Sequence, residues 1–245
     1  MPAVGWVLPS GELVTFAEAR ARAVEQGAFC GLPLPVLLAF ERQHQRVDGA
    51  WLSPSQLLEC PRKRILMAQR DYYVRLDYTW AALVGTAIHA LISTGVDGAC
   101  TEKMLEAVLH VPIDGETAPV LVKGTVDYYD PTTQRLIDFK TTSREVTDPS
   151  LEHTLQVNAY RWLLEQQGYT VKEAYLWYAR PGLNRSGQRF RSRLLPVELF
   201  APEELEQMLL ELALPYAQYL KTGELPACRC RWNTLVPHLC QEEQV

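Results

Sequence analysis

The chain has 245 residues, 47% hydrophobic and 22% charged, the balance of an ordinary globular protein that folds without covalent staples. Its formal net charge of −5 argues against indiscriminate polyanion binding, while leaving room for phosphate contacts confined to one face. No apolar run approaches the roughly 20 residues of a membrane helix, so no membrane partner is expected. The start Met1-Pro2-Ala3-Val4-Gly5-Trp6 lacks the basic and apolar parts of a secretory leader, so the expected compartment is the cytoplasm, where the six cysteines stay reduced.

Residues 1–50 read as a helical N-terminal extension, with helices over about 15–26 and 35–45 split by Cys30-Gly31-Leu32-Pro33. From Trp51 the texture changes. Ser53-Pro54-Ser55-Gln56 is a helix start, with serine as N-cap and proline in the first turn. That helix carries Leu57, Leu58 and Cys60, then the basic run Arg62-Lys63-Arg64. A second helix over about 78–94 holds Gly85-Thr86-Ala87-Ile88-His89. Residues 120–129 and 135–141 read as strands joined by the turn Asp130-Pro131-Thr132-Thr133. An amphipathic helix over 151–167 ends at Gly168, a further hairpin spans 173–180 and 190–197, and a long helix covers 202–220. The tail from Pro226 holds three cysteines. The order of elements predicts an α/β fold with a small mixed sheet.

Chemistry concentrates on the first hairpin. Asp127 and Asp138 stand eleven residues apart on its two strands, with the turn midway between them. Two close carboxylates repel unless a cation lies between them, and hard divalent ions prefer oxygen ligands. Asp138 and Lys140 share a strand face because the side-chain period is two, so the ammonium can flank such an ion. An isolated Asp-x-Lys is usually only a surface pair, but its neighbours extend the set. His89 can offer a ring nitrogen from its helix, and Gln156 and Tyr160 lie one helical turn apart on a common face.

In order, Gly85-x-x-x-His89, Gly124-x-x-Asp127, Asp138-x-Lys140-Thr141-Thr142 and Gln156-x-x-x-Tyr160 resemble the RecB-type branch of the PD-(D/E)xK nuclease superfamily. The resemblance covers about residues 53–177. It implies a restriction-endonuclease-like core, a small mixed β-sheet flanked by helices, and hydrolysis of DNA phosphodiesters. It further implies Mg²⁺ or Mn²⁺ held by Asp127, Asp138, the Phe139 carbonyl and His89. Lys140 would assist the attacking water, Gln156 would support the site and Tyr160 would pack behind it. Single-stranded or end-bearing DNA is the expected substrate, in repair or recombination, phage DNA metabolism or CRISPR adaptation. A separate helicase or CRISPR adaptation proteins would then be partners. A catalytically silent DNA-binding or assembly module with the same fold is the competing reading.

Cys60 stands where some nucleases of this branch carry the first ligand of a [4Fe–4S] cluster, and Cys228, Cys230 and Cys240 offer the other three. The pattern resembles the AddB and CRISPR-associated RecB-like iron–sulfur groups. Its tail departs from their Cys-x-x-Cys spacing, and His238 lies nearby, so Zn²⁺ on a mixed set is the alternative. Cys30 and Cys100 have no partners at ligand spacing. Arg185, Arg189 and Arg191, with Arg180 and Arg193, crowd the second hairpin as expected phosphate contacts, and Arg62, Lys63 and Arg64 would form a second edge. The expected organisation is therefore a helical extension (1–50), a nuclease domain (51–225) and a Cys-rich tail (226–245) packing back on Cys60.

Overall fold

The computed structural model describes residues 3–44, 51–93, 100–181, 190–230 and 240. Strands β1 (Ala3–Val7) and β2 (Leu13–Thr15) precede helices α1 (Phe16–Gln26), α2 (Leu34–Arg42), α3 (Pro54–Leu57) and α4 (Pro61–Gln69). Strand β3 (Tyr72–Arg75) leads into α5 (Leu76–Ser93), followed by the long strands β4 (Cys100–Ile113) and β5 (Glu116–Asp130). The chain closes with β6 (Arg135–Thr141), α6 (Leu151–Gln166), β7 (Glu173–Pro181), β8 (Phe190–Val197) and α7 (Pro202–Thr222). No described helix is long and apolar enough to cross a membrane.

Two compact units emerge. One comprises Met1–Ala50, Glu59–Thr86 and Leu225–Val245; the other comprises Trp51–Leu58 and Ala87–Glu224. This redraws the expected boundaries, because residues 59–86 join the N-terminal unit. The expected single helix from Ser53 through the basic run is two helices. Ser53 and Gln56 close a capping box at α3, but Pro61 cannot extend that helix and pushes Cys60 into extended backbone (ψ 116°). Pro61 instead opens α4.

The first unit is not purely helical. Its sheet has the order β2-β1-β3, with β1 antiparallel to β2 and parallel to β3. The core gathers Trp6, Val14, Ala19, Leu37, Phe40, Leu66, Tyr72 and Val74. Strand β1 is buried along almost its whole length, so it shows no alternation in sequence, and short apolar runs of that kind are ambiguous. Helix α1 starts and stops where local chemistry dictates. Glu18 N–H donates to Thr15 Oγ1, Thr15 N–H donates to the Glu18 carboxylate, and Gly27 ends the helix at φ 80°.

The second unit carries a five-stranded mixed sheet of order β4-β5-β6-β7-β8. Only β6 and β7 run parallel, and α6 is the crossover between them. Strand β4 was not expected. Its sequence is rich in the helix formers Glu, Lys, Met, Leu and Ala, yet Leu105, Leu109, Val111 and Ile113 alternate into the core. Asp114 and Gly115, both at positive φ, join it to β5 through a two-residue loop. Val120, Val122 and Val126 fill the same core from β5, with Val157, Leu163 and Leu164 of α6 and Leu205 and Leu209 of α7. The mixed sheet flanked by helices is the restriction-endonuclease-like α/β architecture expected from the sequence.

Candidate metal centre

The site lies in the second unit, where α5, β4, β5, β6 and α6 each contribute. The β5–β6 ladder ends at Tyr128↔Ile137. One step further the register sets Asp127 opposite Asp138, and there a side chain replaces the backbone: Phe139 N–H donates to Asp127 Oδ2 at 2.7 Å. Releasing the ladder in this way opens the strands and turns the Phe139 carbonyl toward His89. His89 Nε2 lies 3.0 Å from Phe139 O, and Nδ1 lies 3.0 Å from Asp127 Oδ1.

Both ring nitrogens of His89 thus face acceptors, which only a doubly protonated imidazole satisfies. The hydrogen bond to Asp127 accordingly raises the His89 pKa, against the opposing effect of burial. A cluster that draws a proton toward its histidine is one that favours positive charge. Asp138 shows the same demand from the other side. It is 3% exposed, and burial pushes its pKa up to about 6 although the Lys140 ammonium, 2.6 Å from Oδ2, pulls it down. Asp127 adds repulsion. Gln156 is buried, and Tyr160 completes the wall, its hydroxyl held far above the usual phenol range by burial and then by Asp138 and Asp127.

Glu102 belongs to the site and was not foreseen. The β4–β5 pairing places it opposite Asp127, between Thr101↔Tyr128 and Lys103↔Val126, and its backbone is left-handed at φ 49°. Ligand atoms of His89, Glu102 and Asp127 lie within 4.8 Å of one another. Burial, and then the Asp127 charge, raise the Glu102 pKa. Register therefore lines Glu102, Asp127 and Asp138 across three neighbouring strands, with an imidazole and a carbonyl above them. These hard oxygen donors and one nitrogen suit a divalent cation. The Asp114-Gly115 turn was the sequence signal that could have found Glu102, because a two-residue hairpin fixes its register.

The expected basic residues fare differently. Arg185 and Arg189 lie outside the described residues, as does the side chain of Arg191. Arg62 donates to the Pro226 carbonyl at 3.3 Å. Arg64 is 5% exposed, which speaks against its expected role, since a side chain so buried is closed to a phosphate. In the second unit, Thr142, Arg144, Tyr178, Arg180 and Arg193 instead line a cavity of about 430 Å³. It adjoins the centre, since Lys140 pairs with Tyr178 and Tyr178 with Arg193 across β6, β7 and β8. His153 holds the Tyr178 hydroxyl at 2.6 Å.

The four cysteines expected to meet do lie close in the first unit, with Cys60 Sγ 3.9 Å from Cys228 Sγ and Cys230 Sγ 3.7 Å from Cys240 Sγ. Cys30 is exposed, and the side chain of Cys100, like all of His238, lies outside the described residues.

Comparison with known proteins bears on the fold and on the family. The crystal structure of SSO0001 superposes with a TM-score of 0.50 at 18% identity, covering 80% of this chain and 89% of that one. A structure from Eubacterium rectale named "Putative exonuclease" reaches a TM-score of 0.37 at 14% identity, over 68% of this chain and 59% of its own. No curated protein matches the chain in sequence. Residues 101–242 match the sequence profile of the PD-(D/E)XK nuclease superfamily, a span that takes in Glu102, Asp127, Asp138, Lys140 and Gln156. The chain belongs to the PD-(D/E)XK nuclease superfamily.

Proposed function

We propose that the chain is a metal-dependent deoxyribonuclease that hydrolyses phosphodiesters of single-stranded or end-bearing DNA, with Mg²⁺ or Mn²⁺ as the ion. The observation that carries this reading is the convergence of His89, Asp127 and the Phe139 carbonyl within 3.0 Å contacts, beside an Asp138–Lys140 pair.

Asp127, Asp138, His89 and the Phe139 carbonyl would hold the ion, and Glu102 adds a further carboxylate at its edge. When bound, the ion polarises the scissile phosphate and lowers the pKa of water, and an imidazole ligand tilts preference toward Mn²⁺. The chain's own groups do the rest. Lys140, fixed by Asp138, presents a positive charge where negative charge grows on the phosphate, and its N–H groups orient the incoming water. Gln156 and Tyr160, one turn apart on α6, brace the carboxylates from behind. His89 must surrender a ring proton to act as a ligand, so metal affinity rises with pH until the imidazole is neutral.

The arginine-lined cavity supports a path for the substrate backbone. Arg193 is exposed and paired to Glu145 at 2.9 Å, a surface contact worth little that a phosphate can displace. Arg144 and Arg180 flank it, and bidentate guanidinium–phosphate bonds suit a strand leaving the centre past Lys140.

The test is degradation of 5′- and 3′-labelled oligonucleotides in Mg²⁺ or Mn²⁺, with EDTA as control. Metal-dependent cleavage is expected, and the two labels report its polarity. Binding without cleavage under either ion would instead make the chain a non-catalytic DNA-binding module.

A further inference from the structure

Four cysteines that take no part in the reaction centre meet in the first unit. Cys60 caps α4, and the other three come from the tail beyond Leu225. All four thiols are free, and their sulfur atoms lie within 4.8 Å of one another. The separations across the group are 3.9 Å for Cys60–Cys228 and 3.7 Å for Cys230–Cys240.

Those lengths discriminate between cofactors. Metal–sulfur bonds of about 2.3 Å in a tetrahedral zinc site put neighbouring sulfurs about 3.8 Å apart, which is the edge observed here. A four-iron cluster attaches each thiolate to a different iron, outside a cube that already contains four sulfides, so its cysteine sulfurs must spread well beyond the edge of a single-ion tetrahedron. The space enclosed by these thiols has the size of one ion. Two amides point at sulfur as they do toward thiolate: Arg229 N–H donates to Cys60 at 3.3 Å and Cys230 N–H to Cys228 at 3.4 Å. The tail spacing is consistent with this choice, because Cys228 and Cys230 are separated by one residue, unlike the iron–sulfur pattern it only partly resembles.

We infer that Cys60, Cys228, Cys230 and Cys240 hold a single Zn²⁺ in a closed tetrathiolate site, in place of the [4Fe–4S] cluster suggested by the cysteine order. Four protein ligands leave no open coordination position, so the ion is structural: it ties the C-terminal tail to the start of α4. Binding converts thiols to thiolates and releases their protons to solvent. The ion has no redox chemistry, so air leaves it in place.

The full chain, purified both anaerobically and in air from medium containing iron and zinc, decides the matter by elemental analysis. One zinc per chain in a colourless protein is expected from both preparations, released to a zinc-binding dye when a mercurial titrates the thiols. Cys228→Ser and Cys240→Ser should lose the zinc, and Cys30→Ser should keep it. Brown anaerobic protein with absorbance at about 400 nm, iron and acid-labile sulfide would overturn the inference. So would metal-free wild-type protein whose four thiols react at once with a disulfide reagent. If the serine variants fail to fold, the wild-type metal content alone still decides, and none of these outcomes depends on nuclease activity.

Discussion

Gly124 gives the motif Gly-x-x-Asp a physical meaning that can be measured. A Cβ placed there would lie 2.7 Å from Tyr160 Cε1, 2.9 Å from Pro54 Cδ and 3.2 Å from Leu163 Cδ1. Ordinary carbon contacts are about 3.5–4.0 Å, so the tyrosine ring would have to retreat by nearly 1 Å while proline and leucine hold the other sides. Overpacking of this kind costs about 1–3 kcal/mol, offset by about 0.4–1 kcal/mol because alanine loses less entropy than glycine on folding. Gly124→Ala should therefore destabilise the second unit by about 1–2 kcal/mol. Amide hydrogen exchange in β5 and α6 is the suitable assay, because it reads that unit without requiring the whole chain to unfold in one step. Since Tyr160 stands one turn from Gln156 behind both aspartates, kcat should fall as well. Tyr160→Leu removes the atom met first, so the alanine should cost less in that background, where only the Pro54 and Leu163 contacts remain. Equal stability of Gly124→Ala and wild type would refute the steric reasoning. So would an undiminished cost in the double variant Gly124→Ala/Tyr160→Leu, where the ring no longer stands in the way.

Removing the ammonium in Lys140→Ala should lower oligonucleotide cleavage by about 10²–10³, with DNA binding in EDTA nearly unchanged; wild-type rates would deny it a part in the reaction. The same change leaves the buried Asp138 without its cation, so Mn²⁺ binding near neutral pH should also weaken in calorimetry. Glu102→Gln should reduce Mn²⁺ affinity about tenfold, and an unaltered isotherm would make Glu102 a bystander. Replacing Arg180 and Arg193 together with glutamine should raise KM for oligonucleotides and flatten the salt dependence of binding, by roughly 0.7 in slope for each phosphate no longer engaged. In the first unit, burial lowers the His44 pKa to about 4 from an ordinary 6.5. Its hydroxyl partner Thr79 already donates to the Arg75 carbonyl, so His44 Nε2 is the donor in their 3.2 Å contact. The unfolded chain then binds the extra proton first, and stability falls as pH drops from about 6.5 toward 4, by at most about 3 kcal/mol. His44→Gln should flatten that part of the pH profile in hydrogen exchange of β1; an identical profile would show that His44 does not titrate there.

The candidate centre was legible in sequence as a set of neighbours because its parts are placed by short-range rules. Asp138 and Lys140 share a face through strand periodicity, Asp127 meets them across a hairpin whose turn residues announce themselves, and Gln156 and Tyr160 share a helix face. Spacing alone decided those. Strand β4 was hidden because its helix formers are overruled by pairing with β5 and by the core they fill, and Glu102 was hidden with it. The assignment of residues 59–86 to the N-terminal unit goes with the parallel pairing of β1 with β3, a contact between segments far apart in the chain that no local pattern records. The cysteines divide the same way: their order in the chain suggested a set of ligands, while the distances between their sulfur atoms, fixed only once the tail meets α4, are what the zinc proposal rests on.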